Sequence, residues 1–309
     1  MPAYHVERST IINKPIEKVR DSLRDFKQWP QWSPWLIMEP DATLTYSDRQ
    51  GQVGANYGWS GVLVGAGSME LMEVHDNTLK MQLTFVKPFK SRADDSFVLE
   101  TTEEGTKVTW SMDGHLPFFM FWMTGKMKSL IGMDYDRGLL MLKEYLETGV
   151  VASYVHIEGV LPMKAQKYIG IPRTCAIKDI GEVMKKDFES LYAFMEQNNL
   201  SKDRIPFSIY NTFDIFNGES RYVACIPVEE DIDIESRWVR GTVEGRDALK
   251  TMHKGTYIHL GNGWMTAMSF ARMKKMKMLK SPVGYEFYLN NPSDTAEEEL
   301  ITEIYLPLK

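Results

Sequence analysis

Closely spaced turn signals between residues 41 and 112 constrain the fold of this chain more than any other feature. They are Gly51, Gly54, Gly58, Gly61, Gly65, Gly67, Asp76-Asn77 and Glu104-Gly105. Because glycine and Asn/Asp pairs favour tight turns, the segments between them can only be short. Short segments of this kind predict a series of antiparallel strands, with the clearest strand cores at Tyr57-Gly58-Trp59 and at residues 106–110.

Patterns of a different period flank this run of strands. Residues 4–12 alternate as a half-buried strand does, and Asn13 and Pro15 then open a helix with apolar residues at a 3.6-residue period. Residues 124–147 return to the helical period, with apolar side chains on one face. The order strand, helix, strands and long helix predicts an α+β domain in which a curved sheet wraps around the C-terminal helix and leaves a cavity.

The length of 309 residues is more than one hydrophobic core usually serves, so we expect two domains, residues 1–150 and 151–309. The second domain has a βαββ pattern that occurs twice. One half runs from a strand near 171–179 through a helix at 182–197 to Ile226-Pro227-Val228. The other runs from His253-Lys254-Gly255 through a helix around 262–276 to Leu306-Pro307-Leu308. Duplication predicts a groove between two similar halves, although two unrelated βαββ segments would give a similar pattern.

Charge and motif content argue against several classes of protein. The net charge is −6 and the pI about 5.6, whereas nucleic-acid-binding proteins usually present a basic face. Cys175 and Cys225 are 50 residues apart without a CxxC motif or clustered histidines, which predicts reduced thiols and no zinc site. We find no motif for a metal, nucleotide or other cofactor, and we expect none.

The location of the protein is predicted from its apolar segments. The N-terminus lacks the apolar core of a signal peptide. The strongly apolar run at residues 116–123 is too short to span a bilayer. These features predict a cytoplasmic protein. We interpret the run as core or interface packing, with a lid over the cavity as the alternative.

Methionine and aromatic residues are abundant, with 20 Met, 14 Tyr and 8 Trp. Such adaptable side chains suit a pocket for varied ligands, but they also fill ordinary cores. In the first domain, three aromatic residues are candidates to line the cavity: Trp59, Phe85 and Trp110. Three others follow the first helix in a Pro-punctuated segment, and we interpret them as packing at the sheet edge: Trp29, Trp32 and Trp35.

Several segments of the first domain resemble one superfamily. They are VERSTIINKPIEKVRDSLRDFKQWPQWSPW at 6–35, GANYGWSG at 54–61, KPF at 87–89, GTKVTW at 105–110 and DRGLLMLKEYLE at 136–147. In this order they resemble the polyketide-cyclase-like branch of the SRPBCC (START-like, helix-grip) superfamily. The resemblance implies a helix-grip fold with a deep cavity for an apolar ligand. Some members of that superfamily are cyclases or hydrolases.

The second domain resembles the GyrI-like effector-binding domain of multidrug-sensing and AraC-type regulators. The resemblance rests on HKGTY at 253–257, Trp264 and YEFYLNNPSDTAEEELITEIYLPLK at 285–309. It implies that a buried glutamate, here Glu286, meets the positive charge of a ligand among aromatic rings. The rings implied are those of Tyr288, Tyr257 and Trp264, and we also interpret Trp264 as a core anchor. Tyr210 is a further candidate, because it lies 78 positions before Tyr288 in the duplicated pattern. The first half departs from the pattern, with KDIGEVM at 178–184 in place of HKGTY and Ser208 where a second glutamate could stand, so we expect one carboxylate.

Three hypotheses follow for the function. We favour a binding protein for hydrophobic or cationic small molecules, a sensor or sequestering module without its own DNA-binding domain. The alternatives are a hydrolase or cyclase that uses Glu286 on a reactive hydrophobic molecule, and a module that acts on a protein partner. The basic run at 272–280 is interpreted as the solvated end of a helix, so neither nucleic acid nor a membrane is an expected partner.

Overall fold

The computed structural model describes residues 2–116, 118–201, 203–229 and 232–309, and for residues 118–120 it describes only the backbone. The chain divides into two compact units, Met1–Val151 and Ala152–Lys309. Each unit combines an antiparallel sheet with helices, which confirms the predicted α+β class. Among the described residues, no helix combines the length and apolar character needed to cross a membrane.

Seven strands form one sheet in the described part of the first unit. They are β1 (Ala3–Ile12), β2 (Thr43–Tyr46), β3 (Asn56–Ser60), β4 (Ala66–Val74), β5 (Thr78–Lys87), β6 (Ser91–Thr102) and β7 (Gly105–His115). Their order is β1-β7-β6-β5-β4-β3-β2, so strands β2 to β7 each pair with their neighbours in sequence, as short turns require. The helices are α1 (Ile16–Arg24), α2 (Pro34–Met38) and α3 (Thr124–Thr148), with 3₁₀ segments at Phe26–Gln31 and Phe118–Met123.

The core of the first unit joins the inner face of the sheet to α3. Tyr135, Leu139 and Leu142 of α3 are buried against the sheet. Trp29 and Trp32 are also fully buried and contact the ring of Trp110, so they lie inside the core and not at the sheet edge as predicted. The 3₁₀ segment that follows α1 explains the difference, because it carries these side chains under the sheet.

The predicted core packing of residues 116–123 is wrong for two of its aromatic residues. Phe121 and Trp122 are 62% and 69% exposed, because they precede α3 in a 3₁₀ segment on the surface. Leu116 is buried as predicted. Pro117 and the side chains of residues 118–120 lie outside the described part of the chain.

Eight strands form one sheet in the described part of the second unit. They are β8 (Ser153–Met163), β9 (Gln166–Ala176), β10 (Phe207–Asp214), β11 (Glu219–Pro227), β12 (Val239–Val243), β13 (Arg246–Gly255), β14 (Gly284–Tyr288) and β15 (Ile301–Pro307). The helices are α4 (Ile180–Gln197) and α5 (Leu260–Met273), with 3₁₀ turns at Ile177–Asp179, Tyr257–His259 and Glu297–Glu299.

The strand order of this sheet shows the duplication directly. The order β12-β9-β11-β10-β14-β15-β13-β8 is symmetric about the pairing of β10 with β14. One βαββ half is β9-α4-β10-β11 and the other is β13-α5-β14-β15. The strand before each half pairs with the other half, β8 with β13 and β12 with β9. The two halves are therefore held together by exchanged edge strands as well as by the central pairing.

The structural repeat also corrects one alignment made from sequence. The 3₁₀ turn before α4 begins at Ile177 and the turn before α5 at Tyr257, 80 positions later. The segment equivalent to HKGTY at 253–257 is therefore 173–177, and not 178–184 as predicted. Residues 178–184 instead complete the turn and begin α4.

Gly255 makes a close backbone contact that an alanine would disrupt. Its φ is +132°, and a Cβ atom there would overlap the carbonyl oxygen of Ala152. Gly159 also has a positive φ, +105°, but a Cβ atom added to it would have no other atom within 4 Å. We expect Gly255→Ala to lower the free energy of unfolding by about 2 kcal/mol and Gly159→Ala by about 1 kcal/mol, measured by urea unfolding. Equal losses for the two variants would contradict a steric role for Gly255.

Candidate functional site

A serine and a glutamate face each other at the centre of the second sheet. Ser208 of β10 and Glu286 of β14 are partners in the register, and they are 78 positions apart in sequence. They therefore occupy equivalent positions of the two halves. Both side chains are buried, and Glu286 is 2% exposed. The substitution of serine for a second acid leaves the centre of this sheet with one carboxylate.

Three neutral groups donate hydrogen bonds to Glu286. The indole N–H of Trp264 donates to Oε1 at 2.5 Å. The hydroxyls of Tyr210 and Tyr288 both donate to Oε2, at 2.9 and 2.6 Å. Tyr210 and Tyr288 are also 78 positions apart, so one tyrosine from each half reaches the same oxygen.

Local sequence explains how these side chains converge. Residues two apart in a strand point to the same face of a sheet, which places Tyr288 beside Glu286 and Tyr210 beside Ser208. Trp264 lies in the first turns of α5. Gly284 has no side chain where the Trp264 ring packs, and a Cβ atom there would lie 2.7 Å from that ring. The glycine therefore allows the indole to approach the strand that carries Glu286.

The electrostatic environment of Glu286 is that of an uncompensated acid. Burial raises the pKa of Glu286, and the hydrogen bonds from Trp264, Tyr288 and Tyr210 oppose this rise. None of the described Lys, Arg or His side chains forms an ion pair with it. Burial and the charge of Glu286 raise the pKa of Tyr210 and Tyr288 well above its usual range, so both hydroxyls remain donors.

Further aromatic rings surround this carboxylate. The Tyr257 ring is half-buried and lies edge-on to Tyr288 at 5.7 Å between centroids. The Trp264 ring lies edge-on to Tyr210 at 5.2 Å. All five residues predicted for this site, Glu286, Tyr288, Tyr257, Trp264 and Tyr210, are thus brought together.

Two residues of α4 belong to the same cluster and were not predicted. The Phe188 ring lies 5.4 Å from Tyr288, and the hydroxyl of Tyr288 contacts Met184 Sδ at 3.1 Å. Met184 and Trp264 are 80 positions apart and so are equivalent in the two helices. Their positions in α4 follow ordinary core periodicity, so the sequence contained no separate signal for them.

A second buried acid in this unit is compensated. Asp187 of α4 is fully buried and accepts hydrogen bonds from Arg173 Nε at 2.8 Å and from the Tyr222 hydroxyl at 3.0 Å. Arg173 Nη2 also lies 2.6 Å from the same carboxylate. Asp187 therefore has a cationic partner within the protein, which Glu286 does not have. Sequence reasoning did not identify this pair.

The three candidates in the first unit lie at different depths. Trp59 and Phe85 are half-buried, and their rings meet edge-on at 6.0 Å. Trp110 is fully buried and stacks on Tyr135 at 3.9 Å. The structure thus brings Trp59 and Phe85 together and places Trp110 deeper in the core. No group of three or more His, Cys, Asp or Glu residues in the described ranges could hold a metal ion.

Family models cover both units. Residues 3–147 match the polyketide cyclase/dehydrase and lipid transport family, and residues 160–309 match the GyrI-like small molecule binding domain. Both resemblances seen in the sequence are thereby confirmed. The sequence matched none of the curated proteins with which it was compared.

Solved structures resemble parts of the chain. SAV2435 bound to tetraphenylphosphonium is 17% identical, with 50% of this chain and 94% of that chain covered and a TM-score of 0.40. The C-terminal domain of EcmrR is 14% identical, with coverages of 51% and 98% and a TM-score of 0.40. CV1439 from Chromobacterium violaceum is 13% identical, with coverages of 48% and 99% and a TM-score of 0.37.

The chain therefore joins a domain of the polyketide cyclase/dehydrase and lipid transport family, at residues 3–147, to a GyrI-like small molecule binding domain at residues 160–309.

Proposed function

We propose that the second unit binds apolar organic cations at Glu286, and that the chain serves as a sensor or sequestering protein for such molecules. The observation that carries this proposal is a fully buried carboxylate with three neutral donors and no counter-ion among the described residues. Burying an ionised carboxylate is unfavourable unless a positive charge accompanies it. A bound cation would supply that charge.

The surrounding rings suit the same ligand. Tyrosine and tryptophan faces attract cations by on the order of 0.5–2 kcal/mol each, with little directional demand. Tyr257 and Trp264 are both half-buried, so parts of their surfaces remain available for contact. A ligand of this class would be recognised by charge and apolar surface more than by a particular shape.

The hydrogen bonds of Glu286 favour binding over catalysis. Oε1 accepts one hydrogen bond and Oε2 accepts two, all from neutral side chains that hold the carboxylate in one orientation. A general base needs a free lone pair directed at the proton that it removes. Three of the about four acceptor positions of the carboxylate are therefore occupied and its orientation is fixed, which supports an electrostatic role.

The test compares a cation with a neutral molecule of similar shape. Isothermal titration calorimetry of the full chain would use tetraphenylphosphonium and triphenylphosphine oxide. We expect Glu286→Gln to weaken binding of the cation at least tenfold, about 1.4 kcal/mol, and to change binding of the neutral molecule little. The reason is that glutamine preserves size and removes the charge.

Glu303→Gln is the matched control. Glu303 lies on β15 opposite Phe287, is partly buried, and forms an ion pair with Lys250. We expect this variant to bind tetraphenylphosphonium as the wild type does. Equal loss in both variants, or unchanged affinity in Glu286→Gln, would disprove the assigned role of Glu286.

A further inference from the structure

The two halves of the second unit place different side chains at equivalent positions beside the candidate site. Ser208 of β10 and Glu286 of β14 are partners in the register, and the repeat relates them through a separation of 78 positions. Ser208 is fully buried. An acid at this position would give the site two carboxylates related by the internal symmetry. The serine therefore limits the site to one carboxylate.

The surroundings of Ser208 are neutral. Its hydroxyl lies 3.0 Å from the hydroxyl of Tyr288 and 3.5 Å from Met184 Sδ. The Tyr288 hydroxyl in turn lies 2.6 Å from Glu286 Oε2. A single tyrosine hydroxyl thus separates the side chain of Ser208 from the carboxylate. A charged group at position 208 would therefore act on the same ligand as Glu286.

The other buried acid of this unit adds no free charge to the site. Asp187 lies 2.6 Å from the guanidinium of Arg173 and also accepts a hydrogen bond from Tyr222. The pKa of Glu286 is shifted by burial and by three neutral donors, with no contribution from a charged group among the described residues. Within the described part of the chain, Glu286 is therefore the one uncompensated acid of this site.

One carboxylate balances one positive charge. Moving an ion from water into a buried site is strongly unfavourable unless an opposite charge accompanies it. A bound monocation would leave the site neutral overall. A compact dication would leave one net positive charge next to Tyr288, Met184 and Ser208, none of which is an anion. The site should therefore discriminate between organic cations by their number of charges.

We propose that the second unit selects monocations over compact dications, and that Ser208 is the residue that determines this selectivity. The selectivity rests on the function proposed above for Glu286, and it narrows the ligand class from organic cations to those with one positive charge. Replacing Ser208 with an acid would convert the site into one that balances two charges.

The experiment compares two rigid biaryl cations of nearly equal shape, 1-methyl-4-phenylpyridinium with one charge and methyl viologen with two. Isothermal titration calorimetry of the full wild-type chain would give both affinities. We expect the monocation to bind at least roughly tenfold more tightly, because the second charge of methyl viologen has no counter-ion. Equal binding of the two probes, tighter binding of the dication, or no binding of the monocation would overturn the proposal.

Two variants of nearly equal size test the role of Ser208. Ser208→Asp adds a second carboxylate, and we expect it to shift the ratio of the two affinities at least roughly tenfold towards methyl viologen. Ser208→Asn adds a similar volume without a charge and should keep the wild-type ratio. The same ratio in both variants would show that Ser208 does not determine the selectivity.

Thermal melts provide a second readout, because two buried like charges destabilise the free Ser208→Asp protein. Methyl viologen should raise the Tm of this variant more than the monocation does, and the order should be reversed in Ser208→Asn. Equal shifts by the two probes in Ser208→Asp would contradict a site for two charges.

Failure of this selectivity is distinguishable from failure of the proposed function. Equal affinities for the two probes, with tetraphenylphosphonium binding still weakened by Glu286→Gln, would refute only the dependence on charge number. Tetraphenylphosphonium binding that is unchanged in Glu286→Gln would refute the function proposed for Glu286 itself.

Discussion

Replacing Arg173 with methionine is expected to lower the free energy of unfolding of the second unit by on the order of 3 kcal/mol. Asp187 is fully buried and its charge is balanced by the Arg173 guanidinium. Removing that partner leaves a buried carboxylate uncompensated. The side chain of Arg173 is 42% exposed, which keeps the expected loss at the lower end of the range for buried ion pairs. Urea unfolding followed by circular dichroism would measure the change.

A double variant separates the ion pair from simple packing. Arg173→Met combined with Asp187→Leu removes both charges together, and we expect it to recover most of the stability lost in the single variant. Arg173 contacts α4 from β9, so it also helps to position the helix that carries Phe188 and Met184. An Arg173→Met protein as stable as the wild type would show that Asp187 does not depend on this partner.

The stability of the first unit is expected to fall as the pH rises from 5 to 8. Burial raises the pKa of Asp95 from its ordinary value of 3.8 to about 7, against the opposing hydrogen bonds from Tyr135 and Trp110. Between these two values the folded state binds a proton that the unfolded state has released. A higher pH therefore removes stability, and above pH 7 both states are ionised and the dependence ends. The expected loss between pH 5 and pH 8 is roughly 2–3 kcal/mol.

The Asp95→Asn variant isolates this effect. Asparagine cannot ionise, so we expect the contribution of position 95 to the free energy of unfolding to become independent of pH. The stability of the variant should therefore rise relative to that of the wild type between pH 5 and pH 8. Tryptophan fluorescence during urea unfolding reports mainly on the first unit, because six of the eight tryptophans lie there: Trp29, Trp32, Trp35, Trp59, Trp110 and Trp122. Parallel pH profiles for the two proteins would show that Asp95 titrates outside this range.

The resemblance of the second unit to the GyrI-like domain pointed to most of the residues of its candidate site. Glu286 and Tyr288 are two residues apart in a strand, and Tyr210 occupies the equivalent place in the other half, so alternation alone puts them on one face. Met184 and Phe188 could not be predicted, since they reach this face only through the packing of α4 on the sheet.

Prediction was less complete in the first unit, because more of its buried residues reach their positions only through tertiary packing. The turns and the long helix could be located because glycine spacing and helical periodicity act over a few residues. The central position of Trp29 and Trp32 depends on how a 3₁₀ segment crosses the sheet, and short-range patterns do not encode that crossing. Asp95 has the sequence context of an exposed strand residue, and only the approach of Tyr135 from α3 shows that it is buried.

The sequence by itself determined the α+β class, the order of the elements, the duplicated second domain and the strand that carries Glu286, because each depends on periodicity, turns or a local resemblance. Only the tertiary structure decided which charges are balanced. Asp187 is paired with the guanidinium of Arg173, whereas Glu286 and Asp95 accept hydrogen bonds from neutral tyrosine and tryptophan side chains. Charge compensation depends on distances of a few ångströms between elements, and those distances are set when helices pack on sheets.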